Sequence, residues 1–199
     1  MNLVVLISGN GSNLQAIIDR IADGFLTVNI AAVISNNKDA FGLQRAIKAG
    51  IPTHILENKK FATRIEYDQA LLNLVRTYEP DLIVLAGFMR ILTSEFVKYY
   101  SGRILNIHPS LLPKYRGLNT HARVLAAGDK EHGASVHFVT ETLDDGPVIL
   151  QAKVPVLPTD NVETLAGRVL EQEHKIYPEA INLCYQTLPN GNTCTPISE

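Results

Sequence analysis

The stretch Asn106-Ile107-His108-Pro109 carries the densest chemistry in this chain. Side chains alternate along a strand, so Asn106 and His108 project from one face and Ile107 from the other. Pro109 has no N–H to continue a ladder and ends the strand just past His108. An amide donor and an imidazole therefore stand about 7 Å apart at a strand end. They can converge there on one small polar group. An oxyanion formed by attack on a carbonyl fits, with a neutral N–H from Asn106 and a charged one from protonated His108. The plainer reading has Asn106 capping a turn and His108 satisfying a local carbonyl. The pairing, the strand-terminal position and the continuation Leu111-Leu112-Pro113 weigh against it. The chain has 6 histidines but no His-Glu-x-x-His and no cysteine pair at ligand spacing, so no metal is expected.

A third group is a candidate partner. Thr140-Glu141-Thr142-Leu143-Asp144-Asp145-Gly146-Pro147 has the composition of a turn between two strands. If it folds over the His108 strand, Asp144 can accept a hydrogen bond from the imidazole and favour its charged form. Spacing alone leaves the simple turn open. A separate signal lies at the start, in Ser8-Gly9-Asn10-Gly11-Ser12-Asn13. Glycines between a strand and a helix let backbone approach an anion, and the free N–H groups of the helix start favour a phosphate. Leu14 occupies the position where a dinucleotide fingerprint needs its next glycine, and the Lys-Ser/Thr of a P-loop is missing. A phosphate monoester is expected rather than a pyrophosphate, and the alternative is a tight turn with no ligand.

Those residues need elements to hold them. Apolar runs at residues 3–7, 28–35, 52–56 and 82–86 read as buried strands. They alternate with helical segments at 12–21, 41–49 and 61–78, the first opened by Ser12 and Gln15 at capping-box spacing. This order indicates right-handed βαβ units and a parallel sheet. Beyond Arg103 the texture changes: 103–107, 134–140 and 148–156 read as strands with less helix between them, mixed or antiparallel. Asp160 and Glu163 are expected to cap a last helix reaching about residue 183. The expected fold is α/β, a doubly wound, Rossmann-like, mostly parallel sheet with a mixed C-terminal extension. One domain spans 1–188, and 189–199 read as a flexible tail. Pro109 and Pro113 make the Leu112-Pro113 bond one to inspect for the cis form.

With 199 residues, 46% of them apolar and 19% charged, the chain has an ordinary globular balance. Its net charge of −2 argues against broad contact with nucleic acid. No apolar stretch reaches the ~18 residues of a membrane span, and the start lacks the features of a targeting segment. Cys184 and Cys194 are expected as thiols in a cytoplasmic protein.

The run from Asn106 through Leu112-Pro113-Lys114-Tyr115-Arg116-Gly117, followed by Asp144-x-Gly146-Pro147, resembles the folate-dependent formyltransferase family. Ser8-Gly9-Asn10-Gly11-Ser12-Asn13-Leu14-Gln15 is similar to the branch that acts on glycinamide ribonucleotide, and the likeness runs from residue 2 to about 182. The resemblance implies the formyltransferase fold. It implies transfer of a formyl group from 10-formyltetrahydrofolate, as co-substrate, to the amine of glycinamide ribonucleotide in purine biosynthesis. It makes Asn106, His108 and Asp144 catalytic, gives the substrate phosphate to Gly11, Ser12 and Asn13, and the glycinamide end to Glu173. Met89, Arg90, Ile91 and Leu92 would line the folate pocket, which Arg64, Asn106 and Thr140, Glu141, Thr142, Leu143 and Asp144 would complete. A monomer or weak homodimer is expected, with small-molecule partners only. Asn119 stands where many members have a histidine, and Leu170 where some have a basic residue.

Rival readings make distinct demands. A formyltetrahydrofolate hydrolase is expected to carry an extra N-terminal domain, and a methionyl-tRNA formyltransferase a basic C-terminal one. A non-catalytic sugar-phosphate-binding module would not need Asn106, His108 and Asp144 together. A nicotinamide dehydrogenase needs the missing glycine and an acidic residue after the second strand, where Ser35-Asn36-Asn37 stands. A Ser-His-Asp hydrolase needs a Gly-x-Ser-x-Gly elbow, which is not present.

Overall fold

A computed structural model describes residues 1–187. The expectations for the 189–199 tail and for Cys194 lie outside the described residues. Seven strands form one sheet in the order β3-β2-β1-β4-β5-β6-β7. β1 (Asn2–Ile7), β2 (Asn29–Ser35), β3 (Thr53–Ile55), β4 (Leu82–Leu85) and β5 (Ile104–His108) run parallel. β6 (Glu131–Phe138) is antiparallel to β5, and β7 (Val148–Pro155) antiparallel to β6.

Alternation along the central strands splits the core into two layers. Leu3, Val5 and Ile7 of β1 pack with Leu14 and Ile17 of α1 (Ser12–Ala22), Leu43 and Ala46 of α2 (Phe41–Lys48), and Val169, Tyr177 and Ile181 of α6 (Val162–Thr187). Val4 and Leu6 face the other way, onto Tyr67, Leu71 and Val75 of α3 (Arg64–Arg76) and Phe96 of α4 (Ser94–Tyr99). Helices on both faces oblige β1 and β4 to be apolar throughout, which is why each reads as an unbroken run. Tyr177, fully buried, donates from its hydroxyl to the carbonyls of Leu85 and Leu105 at 2.9 and 3.2 Å, joining α6 to the ends of β4 and β5.

Chain order reverses between β1 and β4, and ligands of open α/β sheets gather at such a switch point. The loops leaving these strands are tied together there. Ser8 donates its N–H to the Gly87 carbonyl at 3.2 Å, and its hydroxyl accepts from the Met89 N–H at 2.8 Å.

The structure corrects the sequence reading in four places. Ser12 and Gln15 form no capping box: Gly11 is the N-cap, at φ 72°, with no side-chain cap, and Ser12 is already helical. α3 begins only at Arg64, because Thr63 caps it by accepting from the Glu66 N–H at 3.2 Å. The cap of α6 is Asn161, whose side chain accepts from the Thr164 N–H at 2.9 Å, while Asp160 is held by Arg168 in a two-pronged pair at 2.7 and 2.8 Å. Two helices went unread, α4 and α5 (Thr120–Ala127). Among the described residues no helix is long and apolar enough to cross a membrane.

Candidate active site

The carboxyl ends of β1, β4 and β5 open on one edge of the sheet. β5 delivers Asn106 and His108 on the face opposite Leu105 and Ile107, which belong to the α1/α6 core layer. The antiparallel neighbour β6 sets a residue across from each: His137 opposite Asn106, and Ser135 opposite His108. Cross-strand partners on one face stand close enough to bond.

His137 is 1% exposed and anchored at both ring nitrogens. Nδ1 lies 2.9 Å from the Phe138 carbonyl, an acceptor, so Nδ1 carries the hydrogen. Nε2 is then the lone-pair nitrogen, and it accepts from the Asn106 amide at 3.1 Å. Burial holds His137 below the usual histidine range, against opposing pulls from the Phe138 carbonyl and Asp144, so the neutral ring persists. One Asn106 N–H is thereby fixed and the other is left for a ligand. Ser135, fully buried, donates to the Ser110 carbonyl at 2.6 Å and accepts from the Leu112 N–H at 3.0 Å, which pins the chain just after His108. The Leu112-Pro113 bond in that segment is cis.

The 140–145 loop does fold over β5. Asp144 is 9% exposed and has φ 48°, a left-handed conformation that Asp tolerates better than most residues. Its Oδ2 accepts from the Gly117 N–H at 2.9 Å and lies 3.5 Å from Nδ1 of His108, while Oδ1 lies 3.7 Å from Nε2 of His137. Nε2 of His108 donates to the Tyr115 carbonyl at 3.0 Å. At 3.5 Å the Nδ1 contact is an ion-pair distance, longer than a good N–H···O bond, so Nδ1 is not committed to Asp144. Carboxamide, imidazole and carboxylate thus meet in one cluster, linked through His137, which sequence reasoning missed. Its signal was the alternation of polar Ser135 and His137 with apolar Ala134, Val136 and Phe138.

On the β1 side, Gly11 and Asn13 are buried at the head of α1, and the missing side-chain cap leaves the first-turn N–H groups to a ligand. Asn13 donates to Oε2 of Glu173 at 2.7 Å, linking α1 to α6. Burial raises the Glu173 carboxyl above its usual range, while that hydrogen bond acts against the rise. The Asn13 side-chain oxygen, Oδ1, is buried and unpaired, an acceptor suited to a hydroxyl or amine donor.

Between β4 and α4, Met89 is 73% and Ile91 54% exposed, and Leu143 of the 140–145 loop is 48% exposed. Arg90 lies over the Tyr67 ring at 4.6 Å with its Nε buried and unpaired. Exposed Met89 and Ile91, which flank Arg90 in the chain, suit a flat, partly apolar ligand with an acceptor. Leu92, by contrast, is a core residue packed among the α3/α4 side chains. Thr140, Glu141 and Thr142 are exposed along the loop, with Glu141 paired to Lys98 at 3.3 Å. Arg64 is exposed on the first turn of α3 and has no hydrogen bond or ion pair among the described residues. Leu170, half-buried on α6, brings no charge near Glu173, and Asn119 is the left-handed N-cap of α5.

A doubly wound sheet with an uncapped helix start after β1, and Asn106 and His108 of β5 gathered with Asp144 of the 140–145 loop, is an arrangement suited to acyl transfer. The chain belongs to the formyl transferase family, whose sequence signature matches residues 1–181. It is 59% identical, over 92% of its length and 86% of the relative's, to the phosphoribosylglycinamide formyltransferase of Escherichia coli. The solved phosphoribosylglycinamide formyltransferase of Coxiella burnetii superimposes with a TM-score of 0.88 at 57% identity, covering 92% of this chain and 86% of that one. Glycinamide ribonucleotide transformylase 1 of Symbiobacterium toebii gives a TM-score of 0.90 at 46% identity, over 92% and 86% of the two chains.

Proposed function

We propose that this chain transfers the formyl group of 10-formyltetrahydrofolate to the amine of glycinamide ribonucleotide in purine synthesis. The observation carrying the reading is the cluster in which Asp144 lies 3.5 Å from His108 while His137 fixes the Asn106 amide, on the same sheet edge as the Gly11 turn. The phosphate lies on the first-turn N–H groups of α1, with the ribosyl and glycinamide part reaching toward Asn13 and Glu173. The folate lies between Met89–Leu92 and the 140–144 loop, with Arg90 and Arg64 as its cationic partners. Residues 1–188 act as one catalytic unit, working in the cytoplasm as a monomer or weak homodimer.

The unprotonated amine attacks the formyl carbon, and the carbonyl π electrons move to oxygen. That oxyanion takes the free Asn106 N–H and the His108 Nδ1–H. Nε2 of His108 donates to the Tyr115 carbonyl, so a hydrogen on Nδ1 for the oxyanion requires the imidazolium form. Asp144 balances the ring's charge. Collapse of the intermediate breaks the bond to the folate nitrogen, and a water beside Asp144 carries the amine's proton to that leaving nitrogen.

Incubation of the protein with 10-formyltetrahydrofolate and glycinamide ribonucleotide, water alone or formylatable sugar nucleotides tests this reading. Formylation of glycinamide ribonucleotide, with the other acceptors at background, is the expected outcome. Equal deformylation with water as acceptor makes the chain a hydrolase, and ligand binding with no turnover makes it a binding module.

A further inference from the structure

The Gly9–Asn13 turn has a neighbour that the proposed chemistry does not use. Arg45 of α2 reaches back to the turn and donates three times: Nε to the Asn10 carbonyl at 3.0 Å, NH2 to the Asn10 side chain at 3.1 Å, and NH1 to the Gln15 side chain at 3.2 Å. Every acceptor is neutral. Among the described residues no carboxylate lies within ion-pair distance of this half-buried guanidinium. The Phe41 ring, 4.8 Å away, backs one of its faces. A cation fixed by three neutral acceptors and an aromatic face has its geometry settled and its charge unbalanced.

Its surroundings make that charge consequential. Gly42 precedes Arg45 by one turn of α2 and donates its N–H to the Gly9 carbonyl at 3.1 Å. A Cβ on Gly11 would lie 2.6 Å from Cα of Gly42 and 3.6 Å from Cδ of Arg45, so α2 is docked directly against the anion-binding backbone. The two α6 side chains near the turn bring it no positive charge. Glu173 stands against Asn13 with a carboxyl, and Leu170, one turn earlier on α6, brings no charge. The field of Arg45 also reaches α6: after burial, it is a cause of the depression of His174 below the usual histidine range, with Asp19 opposing.

Resting on the reading of a phosphorylated acceptor, we infer that Arg45 is a positioning residue for the substrate phosphate, clamping the Gly9–Asn13 turn and supplying its balancing positive charge. The guanidinium fork does the clamping, which a lysine cannot reproduce, and the charge favours the dianion over a neutral group at the same position.

Arg45→Met and Arg45→Lys, each in the full chain, test the inference in two ways. In calorimetry with inorganic phosphate, Arg45→Met is expected to bind about tenfold more weakly than the unmodified protein, with Arg45→Lys between them. In steady-state assays the same order is expected in KM for glycinamide ribonucleotide. kcat, KM for 10-formyltetrahydrofolate and turnover of the phosphate-free glycinamide riboside should stay within about threefold, since the clamp touches neither the folate pocket nor His108. Phosphate binding within twofold of the unmodified protein in both variants overturns the inference. So does an equal loss on the phosphate-free acceptor, which marks a merely structural role. If Arg45→Met does not fold, Arg45→Lys decides by the same two readouts. Failure of the unmodified protein to formylate either acceptor defeats the proposed function instead, and the phosphate titration still decides the role of Arg45.

Discussion

Around Gly11 the chain offers backbone, and around His108 it offers side chains. In the proposed function the turn after β1 binds through N–H groups, whose direction is set by helix geometry and by the close approach of Gly11 to Gly42. Nothing there has to rotate. The cluster after β5 depends on rotamers and tautomers, each fixed by a separate partner: Asn106 by His137, His108 by Tyr115, and Asp144 by Gly117. His137 is held in β6, while Tyr115 and Gly117 lie in loop, and the loops around the cluster carry three non-glycine residues at positive φ, Tyr115, Asn119 and Asp144. A site that binds a fixed charge can be built largely from backbone, with one fixed guanidinium beside it. A site that must stabilise charge appearing during reaction needs donors held by a second set of residues.

Removing a donor from the β5 cluster is the strongest way to break this comparison. His108→Ala and Asn106→Ala should each lower kcat by roughly 100- to 1000-fold, about 3–4 kcal/mol, while KM for glycinamide ribonucleotide changes little. Rapid-quench turnover with both substrates saturating measures it. Near-normal kcat in a folded His108→Ala protein removes the oxyanion role.

Acid should separate the two regions by stability. His121 and His132 face each other at 3.0 Å, Nδ1 to Nε2, which leaves room for a single hydrogen between them. Burial, followed by the charges of His121 and His132's other neighbour His108, pushes His132 down to about 4. Burial likewise lowers His121 and His137. In the unfolded chain a histidine takes up its proton near pH 6.5. As pH falls below that value the unfolded state gains protons that the native state refuses. The stabilisation is therefore complete above about 6.5 and lost as pH falls toward about 4, amounting for His132 to at most roughly 3 kcal/mol. Urea melts at pH 7, 5.5 and 4.5 test the sign. Hydrogen exchange should show 110–138 losing protection before β1 to β3, and a flat profile would contradict the depressed histidines.

At the turn, Gly11→Ala should cost roughly 1–3 kcal/mol of stability, because it puts a Cβ on a residue at φ +72° and 2.6 Å from the backbone of Gly42. The signature to look for is a raised KM for glycinamide ribonucleotide with kcat largely kept. A loss of kcat without a change in KM would mean that the two regions are not separable.

The sequence made these regions legible to different depths. β1 and β4 announced themselves because strands covered on both faces have no polar positions to confuse the pattern. Asn106 and His108 were legible because the period of a strand puts them on one face. Asp144 needed the fold, since 36 positions of sequence say nothing of a loop crossing back over β5. His137 and Ser135 were hidden for a related reason: their meaning comes from the β5–β6 register, which neither strand states alone. The capping-box reading failed at Ser12 because Gly11 takes the cap in a left-handed conformation, which shifts the helix start by one residue. α5 begins the same way, at a left-handed Asn119 with no side-chain cap, so the usual start signal was missing.

The weakest link in the comparison is a solvent-exposed ion pair. Arg116 pairs with Asp145, joining the 110–117 segment to the 140–145 loop beside the Gly117–Asp144 hydrogen bond. The two side chains are 41% and 42% exposed, so solvent screens the pair and its worth is below about 1 kcal/mol. Asp144 has a nearer hold in the Gly117 N–H, and the loop has a second tether in Lys98–Glu141. Arg116→Ala and Asp145→Ala should therefore lower kcat only about twofold to fivefold, with a coupling under ~1 kcal/mol in the double-mutant cycle that shrinks as salt is added. Asp144→Asn, which keeps the shape and removes the charge facing His108, should lose far more. A loss on breaking the Arg116 pair as large as that of Asp144→Asn would show that the loop's position, rather than the carboxylate's charge, limits the reaction.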